Sequence, residues 1–97
     1  RHGLLYTSEG IINIKNQKWK KDFSPIDANI GIPTSAIHTK AYLRHLMASK
    51  ELLAGQIASV HNLGFFLWLI REARKHIEMG DYTTWKNAMV KKVSVRL

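Results

Sequence analysis

The stretch "KELLAGQIASVHNLGFFLWLIREARKHIEM", residues 50–79, decides the fold class of this chain. Its spacing predicts one long helix, with a possible bend at Gly55. The apolar positions that recur at helical spacing are Leu53, Ile57, Val60, Gly64, Trp68 and Ile77. Residues 63–70 are apolar on all sides, which indicates burial on more than one side or cover by a partner chain. This contiguous run ends at Arg71, well short of the ~18 residues of a membrane span, so we expect no membrane association.

Shorter helices are predicted on both sides of the long one. Thr39 is a suitable N-cap for a helix through "KAYLRHLMA", residues 40–48, and Ser49 for the start of the long helix. Gly80 is expected to end the long helix in a left-handed conformation. Asp81 then begins a last helix, whose stripe consists of Tyr82, Trp85 and Met89.

The N-terminal third predicts a β-hairpin and an ordered loop. Residues 4–6 and 11–14 are rich in strand formers, "TSEG" between them favours a turn at Gly10, and Ile12 and Ile14 share one face. Residues 16–27 are a connecting segment that Trp19 and Phe23 should pin to the core. Residues 28–38, "ANIGIPTSAIH", show no helical period and predict an ordered loop or a weak extended piece. The fold class is therefore α+β, mainly α, with a hairpin, an ordered loop and about three helices.

Composition limits the chain to one small domain and favours an anionic partner. It has 97 residues, a formal net charge of +8 and no cysteine. The absence of cysteine excludes disulfides and thiolate metal sites and suits a reducing compartment, so we expect a cytoplasmic location. The basic charge favours nucleic acid as a partner, although a domain that is merely basic would show the same charge.

The motifs of a self-contained active site are missing from the sequence. No phosphate loop, nucleophile elbow or HExxH occurs, and the acidic residues form no evident pair. Among the histidines, His61 lies inside the long helix, within "SVHNLGFF". We expect it to be a buried histidine that is hydrogen-bonded to a carbonyl.

Five pieces of the chain resemble sequences of one enzyme family and occur in the same order. They are "LLYTSEGIINIKN", "DFSPID", "AYLRHL", "HNLGFFLWLIREARKHI" and "GDYTTWKN". With them the sequence resembles the C-terminal part of bacterial queuine tRNA-ribosyltransferases, also called tRNA-guanine transglycosylases. The resemblance implies the accessory subdomain of a (β/α)8 barrel enzyme. Residues 1–97 would be a single subdomain, with a hairpin and linker from the barrel edge (1–24), a former zinc loop (25–38) and helices (39–97).

The resemblance also implies a degenerate zinc site. The family usually carries the zinc pattern C-x-C-x2-C-x25-H, which falls here on Ile30, Ile32, Ser35 and His61. The spacing is kept, but all three thiolate ligands are gone, so we expect no zinc and no other cofactor. Apolar packing of the two isoleucines, supported by Phe23, Pro25, Pro33 and the long helix, should hold the loop instead.

The activity that the resemblance implies is base exchange in the queuosine pathway of tRNA modification. Family members replace guanine at the tRNA wobble position with a 7-deazaguanine, through an aspartate nucleophile and a covalent RNA intermediate. Both catalytic aspartates should lie upstream of Arg1, because the chain begins at the last residue of the family's "TRNAR" stretch. The chain also lacks an initiator methionine. We therefore expect a fragment, inactive alone, of a pentosyltransferase.

Three further expectations concern partners. By the family match Arg1 grips the anticodon loop of tRNA, and further phosphate contacts are expected from Lys18, Lys20, Lys21, Lys40 and Arg44. The family forms homodimers, for which Tyr42, His45 and Phe66 are the candidate contacts. Two alternatives stay open: a stand-alone basic helical module for nucleic-acid binding or dimerisation, and a non-catalytic paralogue that acts as a partner subunit.

Overall fold

The computed structural model describes residues 3–97, and its first element is the predicted hairpin. Strands β1 (Leu4–Thr7) and β2 (Gly10–Asn13) pair antiparallel, with Leu4 opposite Asn13 and Thr7 opposite Gly10. The hydroxyl oxygen of Thr7 accepts the Gly10 amide at 3.1 Å and so closes a two-residue turn. Ile12 and Ile14 are both fully buried, which confirms the predicted inner face.

The C-terminal tail completes the sheet. The Ile11 amide donates to the Val95 carbonyl at 2.7 Å, and the Leu97 amide donates to the Ile11 carbonyl at 2.9 Å. The tail therefore lies parallel to β2 and covers its outer edge. A Cβ atom on Gly10 would lie 2.5 Å from the Val95 carbonyl oxygen, so this close approach requires glycine.

The connecting segment is pinned by Trp19 but not by Phe23. A 3-10 helix, Gln17–Trp19, buries the Trp19 ring, of which 7% stays exposed. Phe23 is 72% exposed, so the prediction for that residue was wrong. The cause is a tight turn in which the Asp22 carboxylate accepts the Ser24 amide at 2.9 Å. Backbone hydrogen bonds tie this turn to the amides of Lys40 and Ala41, at the start of the helix that follows Thr39.

The loop contains a helical turn that the sequence pattern missed. Helix α1 (Pro33–Ile37) begins with a proline. At the start of a helix the missing N–H of proline costs no intrahelical hydrogen bond. One turn is too short to show a repeat of apolar positions, which explains why the prediction of a loop or extended piece was wrong over these five residues. The structure therefore has four α-helices in the described residues, where about three were predicted.

Helices α2 (Lys40–Ala48) and α3 (Leu52–Met79) lie close to the predicted positions. The Thr39 hydroxyl accepts the Tyr42 amide at 3.0 Å, which confirms the predicted cap of α2. Ser49 ends α2 and does not begin α3, because Lys50 takes a left-handed φ of 57° and breaks the chain between the helices. Helix α3 continues unbroken through Gly55.

The end of α3 matches the sequence. Gly80 adopts φ 81°, the left-handed cap conformation, and α4 (Tyr82–Val93) follows. Asp81 occupies the N-cap position of α4, but its side chain accepts no capping hydrogen bond. Its carboxylate instead lies 2.7 Å from His76 Nδ1, and the His76 ring stacks on Trp85. This contact fixes the elbow between the two helices.

One face of α3 forms the floor of the core, and the opposite face is open. The core consists of Leu5, Ile12, Ile14, Trp19, Ile26, Leu43, Leu46, Ala54 and Ile57. At 100° per residue, the exposed Leu63, Phe66, Leu67 and Ile70 lie opposite His61. By length and composition alone α3 is also able to span a membrane, a test that core helices of soluble proteins pass as well. The expectation that the chain does not associate with a membrane stays a prediction.

Candidate functional site

His61 is the centre of a buried polar cluster that joins loop, helix and hairpin. Its side chain is fully buried, with Nδ1 2.6 Å from Ser35 Oγ and Nε2 2.9 Å from the Tyr6 carbonyl oxygen. Since a carbonyl oxygen only accepts, Nε2 carries the proton and Nδ1 accepts from the Ser35 hydroxyl. The expected buried histidine bonded to a carbonyl is confirmed.

Asn62 binds the free edge of β1 beside this cluster. Its Nδ2 donates to the Leu4 carbonyl at 3.0 Å, and its Oδ1 accepts the Tyr6 amide at 3.1 Å. Together with His61, it satisfies three backbone groups of β1 that a third strand would otherwise bind. In the sequence the dipeptide "HN" is only part of a longer matching piece, and no role was predicted for Asn62.

Asp27 ties the same loop to the hairpin turn. The carboxylate is buried and accepts the Ser8 amide at 2.6 Å, the Ser8 hydroxyl at 2.9 Å and the Asn29 amide at 3.0 Å. Asn29 Nδ2 adds a bond to Ser8 Oγ at 3.2 Å. The spacing of Asp27 and Ser8 in sequence carried no signal for this contact, because 19 residues separate them.

The two isoleucines at former ligand positions differ in their surroundings. Ile30 is buried, whereas Ile32 is partly exposed and packs over Gly64, one turn beyond His61. Pro25 and Pro33 are exposed, as is Phe23, so the expected apolar support from these three residues was wrong. Ser35 and Asp27 add buried hydrogen bonds to the packing of Ile30 and Ile32.

Burial lowers the pKa of His61, while the Tyr6 carbonyl and the charge of Asp27 oppose this shift. The folded state therefore holds a neutral imidazole whose pKa lies below the ~6.5 of an unfolded chain. We expect His61 to contribute its full stability above about pH 6.5 and to lose it as pH falls from there through the folded pKa. The slope should reach at most about 1.4 kcal/mol per pH unit, because one proton is involved.

The measurement is the free energy of urea unfolding between pH 8 and pH 5 for three chains. His61→Gln removes the titration and keeps a donor for the Tyr6 carbonyl, so its profile should be flatter than that of the wild type. Ser59→Gln, which introduces the same residue at an exposed position of α3, is the control and should keep the wild-type profile. Equal slopes for His61→Gln and the wild type would contradict the prediction.

The predicted basic residues gather around Trp19. Lys18 Nζ and Lys40 Nζ lie 5.0 and 5.7 Å from the centroid of the Trp19 ring, on cation–π geometry. Arg44 Nε donates to the Asn16 carbonyl at 3.3 Å, which places Arg44 beside the same 3-10 helix. Lys20 and Lys21 follow that helix and are exposed. We call these five residues the Trp19 basic surface: Lys18, Lys20, Lys21, Lys40 and Arg44.

An open pocket of about 550 Å³ lies between this surface and the loop. Lys40 Nζ donates there to Ser24 Oγ at 2.9 Å and to the Pro25 carbonyl at 3.0 Å. Hydrogen bonds from the Ser24 hydroxyl and amide, aided by Lys40, hold the pKa of Asp22 below its usual range. Asp22 therefore stays ionised beside the lysines and offsets part of their charge.

The three residues predicted for dimer contacts occupy two separate helices. On α2, Tyr42 is 41% exposed and stacks on His38 at 5.6 Å between ring centroids, and His45 is exposed one turn later. Phe66 is 58% exposed on the open face of α3. Arg1, the residue matched to the anticodon grip, lies outside the described residues.

Each of the three aspartates already has partners within the chain. Asp22 accepts from Ser24, Asp27 from Ser8 and Asn29, and Asp81 contacts His76. A nucleophilic carboxylate needs a free oxygen in a pocket that admits substrate. All three aspartates of residues 3–97 are therefore engaged in contacts within the chain.

Comparisons with known proteins agree with the quoted motifs. The family model for queuine tRNA-ribosyltransferase matches residues 1–95. The chain is 40% identical over its whole length to the queuine tRNA-ribosyltransferase of Aquifex aeolicus, of which it covers 26%. It is 45% identical over 86 residues, 89% of the chain, to that of Lawsonia intracellularis, of which it covers 23%. The chain thus spans about a quarter of the length of these curated relatives and matches their C-terminal portion. It belongs to the queuine tRNA-ribosyltransferase family.

Proposed function

We propose that the chain acts as the C-terminal part of a tRNA-guanine transglycosylase, a pentosyltransferase that exchanges guanine at the tRNA wobble position for a 7-deazaguanine. The observation that carries this proposal is the family match over residues 1–95. The engaged aspartates support an accessory role, with the nucleophile supplied elsewhere in the longer polypeptide. The match over nearly the whole chain favours this role over the alternative of a stand-alone helical module.

The proposal is tested by base exchange. The longer polypeptide should incorporate labelled guanine into unmodified tRNA, and the 97-residue chain alone should not. Incorporation by the 97-residue chain alone would contradict the accessory role. An inactive longer polypeptide would favour the non-catalytic paralogue instead.

We further propose that the open face of α3 is covered by protein, in the context of a (β/α)8 barrel. The exposed apolar side chains on this face, Leu63, Phe66, Leu67 and Ile70, form a stripe of the kind that helices bury against a neighbouring element. A polar cluster at His61 and Asn62 lies on the other side of the same helix, which suits packing within a protein better than a lipid environment. A cytoplasmic location is part of the same proposal, and the tRNA named in the family description supports it.

The Trp19 basic surface is proposed to bind tRNA phosphates. Its five cations lie close together although residues 18 and 44 are far apart in sequence, and such clustering attracts a polyanion. Lys20 and Lys21 are the clearest candidates, because Lys18, Lys40 and Arg44 also have contacts within the chain.

Replacing Lys20 by Gln is expected to reduce the salt dependence of tRNA binding. If Lys20 binds one phosphate, the slope of log K against log salt should fall by about 0.7–0.9. Filter binding at several salt concentrations measures the slope. Lys86→Gln on α4 changes the net charge equally and is the control, with an unchanged slope. Equal slopes for both variants and the wild type would remove Lys20 from the surface.

Homodimerisation through Tyr42 and His45 is the last part of the proposal. An exposed aromatic ring stacked on His38, with Ile37 72% exposed nearby, is typical of contact surfaces rich in aromatic anchors. Phe66 remains a predicted contact on a different helix. Equilibrium sedimentation of a Tyr42→Ala variant should show a weaker dimer, and a dimer of unchanged strength would exclude Tyr42 from the interface.

A further inference from the structure

The side chains at the four former ligand positions do not fit a zinc ion. A structural zinc site needs four N, S or O donors. The side chains of Ile30 and Ile32 have no atom that could bind a metal, and the Ser35 hydroxyl and His61 Nδ1 are hydrogen-bonded to each other. Among residues 3–97 no three His, Cys, Asp or Glu side chains are grouped closely enough to hold a metal.

A chain of hydrogen bonds takes the place of the metal. The Ser35 hydroxyl donates to His61 Nδ1, and His61 Nε2–H donates to the Tyr6 carbonyl, with Ser35 and His61 both fully buried. The Ser35 hydroxyl belongs to α1, the imidazole to α3 and the carbonyl to β1. The three elements that meet at this point are therefore joined through one imidazole ring.

The hydrogen bond from His61 Nε2 to the Tyr6 carbonyl resembles the outer-shell hydrogen bond of a zinc-binding histidine. A zinc-binding histidine ordinarily donates its other ring N–H to a carboxylate, a water or a backbone carbonyl, which fixes the tautomer and the ring orientation. His61 Nε2–H already has such a carbonyl partner, while Nδ1 points toward the loop where the three cysteines would be. The ring is thus oriented as a zinc ligand would be, toward a serine.

We propose that the Ser35–His61–Tyr6 relay is a metal-independent lock that holds the loop onto α3 and β1, and that it retains the outer-shell geometry of the lost zinc site. The lock is polar at Ser35 and apolar at Ile32, which packs over Gly64. Its operation requires one tautomer of His61 and no metal. Three cysteine substitutions should therefore be enough to restore a metal site around Nδ1.

The first test uses the wild-type 97-residue protein. Metal analysis after purification in zinc-containing buffer should find less than one-tenth equivalent of zinc, and EDTA should leave the melting midpoint unchanged. Nitrogen NMR of labelled His61 should show Nε2 protonated and Nδ1 unprotonated at pH 7.5. Stoichiometric zinc, or the opposite tautomer, would overturn the proposal without any variant.

The second test weakens the lock. Ser35→Ala should lower the melting midpoint by about 4–8 °C, the shift that loss of one ordinary hydrogen bond produces in a domain of this size. Ser59→Ala, at an exposed position of α3, is the matched control and should leave the midpoint unchanged. Equal midpoints for the two variants would show that the Ser35 hydroxyl does not lock the loop.

The third test restores the metal. The combined substitutions Ile30→Cys, Ile32→Cys and Ser35→Cys should produce a protein that binds one equivalent of zinc and melts at a lower temperature in EDTA. Adding His61→Ala to the three should weaken zinc binding by at least tenfold. A triple variant that is folded, as judged by far-UV circular dichroism, and does not bind zinc would overturn the outer-shell part of the proposal.

Discussion

Asp27→Ala is expected to lower the free energy of unfolding by at least about 3–4 kcal/mol, because it removes several hydrogen bonds to a charged group, each of which contributes about 1.5–3 kcal/mol. The substitution removes the acceptor of the Ser8 amide, the Ser8 hydroxyl and the Asn29 amide in one step. Urea unfolding at pH 7.5 gives the free energy. Hydrogen exchange at the Ser8 amide, which donates to Asp27 in the wild type, should become faster.

The matched control for this prediction is Asp22→Ala. Asp22 belongs to the same connecting region, and its substitution removes the same charge. Its partner is Ser24, in a local turn at the surface. The control should lose no more than about 1 kcal/mol, as exposed substitutions usually do. A similar loss for both aspartates would show that charge, and not the buried contact with the hairpin turn, determines the effect.

Gly64→Val is expected to lower the free energy of unfolding by about 2–3 kcal/mol through overpacking. A Cβ atom at this position would lie 2.7 Å from Ile32 Cγ1 and 3.0 Å from Ile32 Cδ1. Cγ1 is attached directly to the branched carbon of isoleucine, whose rotamers are restricted, so the side chain has little room to move away. The loop must then separate from α3, and urea unfolding measures the cost.

The same helix offers a control and a rescue for this substitution. A Cβ atom on Gly55 would meet nothing within 4 Å, so Gly55→Val should change the stability by less than about 0.5 kcal/mol. Ile32→Ala combined with Gly64→Val should recover part of the loss, with a coupling of about 1–2 kcal/mol. Additive effects of the two substitutions would mean that Ile32 and Gly64 are not in contact.

The helices and the hairpin could be predicted because their signals are local. Thr39 and Gly80 mark helix ends through chemistry that acts within one turn, and Ile12 and Ile14 alternate with polar residues in a strand. Where the signal was weaker, the prediction was wrong. Ser49 satisfies the rule for an N-cap, yet the left-handed Lys50 follows it and ends α2 at that point.

The contacts that hold the loop could be predicted only in part. The family spacing brought Ile30, Ile32, Ser35 and His61 into one set, and the structure places Ser35 against His61 and Ile32 against Gly64 on the next turn of α3. The roles of Asp27 and Asn62 depend on partners 19 and 56–58 residues away, which no period or local motif encodes. The exposure of Phe23 has a local origin instead, because the turn in which Asp22 accepts the Ser24 amide determines the direction of the Phe23 side chain.

The tail that covers β2 is synthesised several seconds after β2. Ile11 and Val95 are 84 positions apart, and a ribosome adds about 5–20 residues per second, so roughly 4–17 seconds separate the two residues during translation. Throughout that interval the outer edge of β2 presents unpaired amide and carbonyl groups that can recruit a strand from another nascent chain. The outer edge of β2 is therefore open to strand addition until the tail has been synthesised and has paired with it.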